Sequence, residues 1–172
     1  MNFDYEKFAE KLLVAVEEYA KTQLVNRDDL YIMSIEYFPD FTTFVVIRAN
    51  TYSYLKEQVE DEEDYTYYKY CEEEWDLYES LEGRSSDLQV HYNKMEEMYG
   101  EEFYKEQEQH ATKIIEICKT VMKRFKETDT YKKFPKLYLN VYVREYFTNE
   151  ECIKIFCDLN GEDNIEEYSD WL

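Results

Sequence analysis

Apolar residues recur along this chain in two rhythms, every third or fourth position and every second, and the switches between them mark out its elements. Tyr5, Phe8, Ala9, Leu12, Leu13, Val16, Tyr19 and Ala20 stand at helical spacings, with Glu6, Lys7, Glu10, Lys11, Glu17 and Glu18 opposite, which predicts an amphipathic first helix. Asn26-Arg27-Asp28-Asp29 breaks it. From Leu30 to Ala49 the rhythm shortens: Tyr31, Met33, Ile35 and Tyr37 point one way from an extended strand, Leu30 and Ile32 the other, and Phe44 to Ile47 follow a turn at Phe38-Pro39-Asp40-Phe41. Pro39 fixes φ for that turn and Asp40 closes it on the backbone. Both faces are largely apolar, so the pattern predicts a central antiparallel hairpin covered on both sides.

Beyond it, Asn50 or Thr51 caps a helix whose apolar face uses Tyr52, Leu55 and Val59. Glu60 to Asp64 is an unbroken acidic run, the mark of a solvated loop or frayed helix end. The tyrosine-rich stretch Tyr65 to Tyr70 is β-prone and reads as a short strand, or as an ordered loop lying on the core. Glu72, Glu73 and Glu74 suit the first turn of a short helix, anchored by Trp75 and Tyr78 and ended by Gly83. Ser86 or Asp87 caps the next, with Leu88, His91, Tyr92, Met95, Met98 and Tyr99 on its face and Gly100 as its stop. A longer helix buries Phe103, Gln107, His110, Ala111, Ile114, Ile115, Cys118, Val121, Met122 and Phe125. Leu137 to Val143 alternates strictly and predicts a strand that pairs with the hairpin. Thr148 and Glu151 form a capping box for a helix burying Cys152, Ile153, Phe156 and Leu159 and stopping at Asn160-Gly161, after which Trp171 and Leu172 fold an acidic tail back onto the body. The whole predicts an α+β fold: a small, mainly antiparallel sheet with a central hairpin, packed by about five or six helices.

At 172 residues, with three glycines and two prolines, the chain reads as a single globular domain over 1–172, large enough to build a core without metal or disulfide staples. Forty acidic residues against 20 basic give a net charge of −20. A polyanion of that size repels nucleic acid and anionic lipid and attracts basic partners over about 10 Å at ordinary salt. The same acidity also serves solubility alone. No basic leader or apolar run long enough for a signal peptide or span is present, so a cytoplasmic location is expected; Cys71, Cys118, Cys152 and Cys157 lack zinc-site spacing and read as free thiols.

Candidate chemistry is sparse. His91 and His110 lie on or beside apolar helical faces and read as packed, hydrogen-bonded side chains; Leu88 and Gln107 stand where a carboxylate-bridged metal site needs glutamate. HExxH, GxSxG, phosphate-loop and calcium-loop motifs are missing. The expectation is a non-catalytic protein with no cofactor and no metal. Nineteen tyrosines remain as the unusual feature, a residue that combines a large rigid contact area with a polar tip and favours interfaces. In so tyrosine-rich a composition the rings also serve to complete the core. Tyr138 and Tyr142 fall on the outward side of the last strand, and Tyr67 and Tyr68 beside the acidic run. With Asp61, Glu62, Glu63 and Glu73 they form the candidate partner-binding set, suited to a basic protein surface.

The order of landmarks, Phe8-Ala9-Glu10-Lys11-Leu12-Leu13, Arg48-Ala49-Asn50-Thr51, Tyr70-Cys71-Glu72-Glu73-Glu74-Trp75, Leu137 to Val143 and the Glu150-Glu151 helix ending Leu159-Asn160-Gly161, resembles an uncharacterised bacterial family, domain of unknown function 4303. The likeness spans nearly the whole chain, with Cys71-Glu72 where the family usually carries Ser-Pro. Such small acidic α+β proteins are similar to immunity proteins of polymorphic-toxin systems. The resemblance implies a binding role against a cognate toxin, without catalytic residues; with the acidic charge, the expectation is a monomer or weak dimer that binds and blocks a basic, nuclease-like toxin domain and touches neither nucleic acid nor membrane. Two alternatives stand beside it: an acidic mimic of nucleic acid that inhibits a DNA-binding protein, and an unrecognised enzyme using a buried carboxylate pair or a Cys-His couple.

Overall fold

The computed structural model describes residues 3–39, 44–81, 86–95, 101–143, 146–162 and 165–172. Its framework is a four-stranded sheet in the order β3-β2-β1-β4, with β1 Leu30–Phe38, β2 Phe44–Thr51, β3 Leu77–Ser80 and β4 Tyr138–Val143. The hairpin β1/β2 is central and antiparallel, as its pattern predicts, and β3 continues the antiparallel ladder on β2. β4 pairs with β1 in parallel, so the sheet is mixed. The long helical connection that precedes β4 allows this, because a parallel neighbour needs a crossover. The turn expected at Pro39-Asp40 lies largely outside the described residues, as do the helix stops expected at Gly83 and Gly100.

Seven α-helices lie among the described residues: α1 Tyr5–Tyr19, α2 Tyr52–Gln58, α3 Tyr65–Tyr70, α4 Ser86–Met95, α5 Glu101–Lys126, α6 Asn149–Asn160 and α7 Ile165–Trp171. Helices α1 and α5 pack on each other and on one face of the sheet, where Phe8, Leu12 and Val16 meet Ile114, Cys118 and Met122 over Met33, Ile35, Ile47 and Val141. A second core on the other face holds Tyr31, Ile32, Leu55, Tyr70, Trp75, Phe156 and Tyr168. Helix α6 runs along the β4 edge and serves both, sending Ile155 and Leu159 into the first core and Phe156 into the second.

Local chemistry accounts for the helix ends. Asp4 accepts from the Lys7 amide at the start of α1, Thr51 from Tyr54 at the start of α2, and Thr148 and Glu151 close the expected capping box on α6. Gly161 ends α6 with φ +82°.

Three local expectations are corrected. Tyr65–Tyr70 is helical, not a strand: the turn buries Lys69 and Tyr70 against α7, where Glu167 accepts from both side chains. Glu72–Glu74 forms a single 3₁₀ turn, and the chain then extends into β3, leaving Trp75 buried but Tyr78 exposed. Finally, the register shifts between Leu30 and Ile32, a bulge that sends Tyr31 to the second core beside Ile32 while Leu30 joins the first.

Candidate functional site

Two polar constellations stand out, one exposed and one buried. The exposed one begins where the acidic run enters α3. Asp61, Glu62 and Glu63 are exposed, with Glu62 and Glu63 in the 3₁₀ turn Glu62–Asp64 that precedes the helix. Tyr67 is exposed beyond them, its hydroxyl donating to Glu74 at 2.9 Å, and half-buried Tyr68 meets its ring edge-on at 5.3 Å. Helix α7 packs against α3 and carries a second set of carboxylates. Glu162, Glu166, Glu167 and Asp170, with Ile165, line a cleft of about 440 Å³ there. At its inner wall Glu167 accepts from Lys69 Nζ at 2.7 Å and from the Tyr70 hydroxyl at 3.1 Å. Lys69 is almost fully buried, a position a lysine tolerates only when paired.

The sequence-derived binding set is thus brought together only in part. Asp61, Glu62, Glu63, Tyr67 and Tyr68 share one neighbourhood, and Glu73 is exposed on the turn just after α3. Tyr138 and Tyr142 are not on an open face. Helices α6 and α7 cover that side of β4, and the Tyr138 ring stacks on Phe156 with centroids 5.9 Å apart; Tyr142 is half-buried. Strict alternation in the strand signals two chemically different faces, and the less apolar one is here roofed by aromatic helices rather than by water.

The buried constellation lies under that roof. Ser34 and Glu36 project from β1, Arg48 from β2 and Asn140 from β4, all on the second face, and Glu72 descends on them from its 3₁₀ turn. Glu36 and Glu72 are 0% and 1% exposed. Arg48 Nε donates to Glu36 at 2.5 Å, Asn140 Nδ2 to Glu72 at 2.8 Å and, more weakly, to the Tyr168 hydroxyl at 3.4 Å. Burial pushes the Glu72 carboxyl up to about 8, against the pull of its backbone and Asn140 hydrogen bonds, and the nearby Glu36 carboxylate adds to the rise. At neutral pH Glu72 is therefore largely protonated and uncharged, which keeps two buried carboxylates from repelling each other. The pattern reading passed over this cluster, although a signal was present: Ser34, Glu36, Arg48, Asn50 and Asn140 are polar residues at alternate positions of otherwise apolar strands.

The structure also brings His91 and His110 together, their ring centroids 4.6 Å apart. Among the described residues no three His, Cys, Asp or Glu side chains stand close enough, as placed, to hold a metal ion, and no helix is long and apolar enough to cross a membrane. The four cysteines are free thiols.

Compared with known proteins, the chain matches over residues 9–161 the family model described as a domain of unknown function, DUF4303. No curated protein and no solved structure matches it.

Proposed function

From the premise that the chain belongs to the DUF4303 family, we propose that it is a non-catalytic binding protein that captures and blocks a basic protein, in the manner of an immunity protein against a nuclease-like toxin domain. The observation that carries this reading is the exposed acidic stretch Asp61 to Asp64 with exposed Tyr67 beyond it on α3, together with the carboxylates that line the cleft at α7. Carboxylates on such a surface steer a basic partner, and an exposed ring beside them supplies buried area on contact. The chain's net charge of −20 extends that steering beyond the patch. Glu36 and Glu72, the pair an enzyme reading would use, are closed off from solvent and serve the packing of the sheet face in this proposal.

The test is capture of partners from the host's own lysate at low and high salt, followed by reconstitution with the purified partner. The expected result is one stoichiometric basic protein, released by salt, whose binding falls when Glu62→Lys and Glu63→Lys are combined. A reconstituted complex indifferent to both salt and the double reversal would overturn the placement of the site. Competition by duplex DNA for the same partner surface would favour the nucleic-acid-mimic alternative.

A further inference from the structure

The two edges of the sheet are finished differently. Helix α6 packs along β4, whereas among the described residues no strand pairs with the outer side of β3. The ladder fixes which backbone groups face outward there. The Leu81 amide donates to the Val45 carbonyl at 3.0 Å, and by the alternation of an antiparallel pair Glu79 and Leu77 also turn their backbone groups toward β2. Tyr78, opposite Arg48, and Ser80, opposite Val46, turn theirs away from the sheet. Those positions are open: Asp76, Tyr78 and Ser80 are exposed, Tyr78 by 67%.

An open edge is a template for another strand, and proteins commonly blunt it with lysine, proline or a bulge. Leu77–Ser80 carries neither lysine nor proline, and its register on β2 runs without a shift. Being four residues long, it offers an added strand few main-chain hydrogen bonds, so side chains must supply the selectivity. Here they are acidic and aromatic. Exposed Glu73 and Asp76 stand just before the strand and Glu79 within it, while Arg48, 5.9 Å from the Tyr78 ring centroid, is already matched by Glu36. A second copy of the chain would bring the same carboxylates, on two bodies of net charge −20, to one seam, and like charges across paired strands are unfavourable. A segment that alternates basic and apolar residues meets the reverse: its backbone pairs with that of Tyr78, and its cations lie near Asp76 and the Tyr78 ring.

We propose, on the reading above that the chain binds a basic protein, that the outer edge of β3, centred on Tyr78, is a docking surface for an extended basic segment of that partner, added as a further strand of the sheet.

Amide hydrogen exchange, followed by NMR on the ¹⁵N-labelled full-length protein, tests it. Before any addition the Tyr78 amide is expected to exchange freely, while those of Glu79 and Leu81, held in the β2 ladder, are protected. A synthetic peptide alternating lysine and valine is expected to bind saturably and to slow Tyr78 exchange about tenfold at saturation. The same peptide with every amide methylated keeps its charge and loses its donors, and is expected to leave Tyr78 exchange unchanged; a peptide alternating glutamate and valine is expected not to bind. Tyr78→Pro removes the outward N–H, spares the β2 ladder, and is expected to weaken binding of the lysine–valine peptide about tenfold. Should Tyr78→Pro fail to fold by circular dichroism, the methylated peptide, which leaves the protein untouched, decides the matter. A Tyr78 amide already protected in the free protein, or a methylated peptide that binds as tightly as its parent, overturns the assignment of β3 while leaving the capture of basic proteins intact. A lysine–valine peptide that does not bind also overturns it, and the charge reversals at Glu62 and Glu63 then judge the wider reading separately.

Discussion

Glu72 and Asn140, 68 residues apart in the chain, meet at 2.8 Å beneath the aromatic roof of the second sheet face. That contact ties the turn between α3 and β3 to the last strand of the sheet, and it places an ionisable group where its charged form is costly.

The first prediction concerns pH. The folded state holds the Glu72 proton up to about 8, against an ordinary value of 4.5 for a free glutamate. Between those values the folded chain binds more protons than the unfolded one, so this group's contribution is fully present below the lower value and is lost as pH rises toward the upper. Glu72→Gln keeps the acceptor for Asn140 and cannot ionise. Its stability relative to wild type is expected to increase from about pH 5 to about pH 9, gaining about 4 kcal/mol at the alkaline end. Urea unfolding at both ends checks it; a difference that is constant with pH would place Glu72 in a solvated site.

A second prediction separates breaking a buried ion pair from replacing it. Arg48→Ala removes the guanidinium from the fully buried Glu36 carboxylate and is expected to cost about 3–5 kcal/mol. The double change Glu36→Leu with Arg48→Leu is expected to recover most of that loss, because neither charge then remains to be desolvated. Midpoints of chemical unfolding for the single and double variants give the comparison.

Gly161 supplies a purely backbone test. Its φ of +82° and ψ of −158° belong to a region closed to other residues, yet an added Cβ meets nothing within 4 Å. Gly161→Ala is expected to cost about 1–3 kcal/mol through conformation alone. Thermal melts that show no loss would mean that the end of α6 rearranges freely.

The fourth prediction sets the core against the surface. Phe156 stacks on Tyr168 with centroids 4.2 Å apart and 11° between ring planes, both rings fully buried, so Phe156→Ala is expected to cost about 3–5 kcal/mol. Tyr67, 45% exposed, is expected to tolerate alanine within about 0.5 kcal/mol while weakening capture of a basic partner. Parallel unfolding and binding measurements distinguish the two; a large stability loss in Tyr67→Ala would make that ring structural.

The sequence by itself determined the elements whose causes are local. The period-2 run from Leu30, the long amphipathic face from His110 to Phe125 and the Thr148/Glu151 box each satisfy their backbone and bury their apolar side in one way only, and the α+β fold follows from their sum. The acidic stretch at 61–63 was equally legible, since charge at that density stays in water. Tertiary structure decided the rest. Whether Tyr65–Tyr70 becomes strand or helix depends on α7, which lies about a hundred residues away in the chain and offers Glu167 to Lys69 and Tyr70. The placement of Tyr138 under Phe156, the descent of Glu72 onto Asn140 and the meeting of His91 with His110 are long-range pairings of side chains that carry no mutual periodicity. A local pattern states which face of an element is apolar; only packing states what is laid against the other face, and here that face carries the buried polar groups.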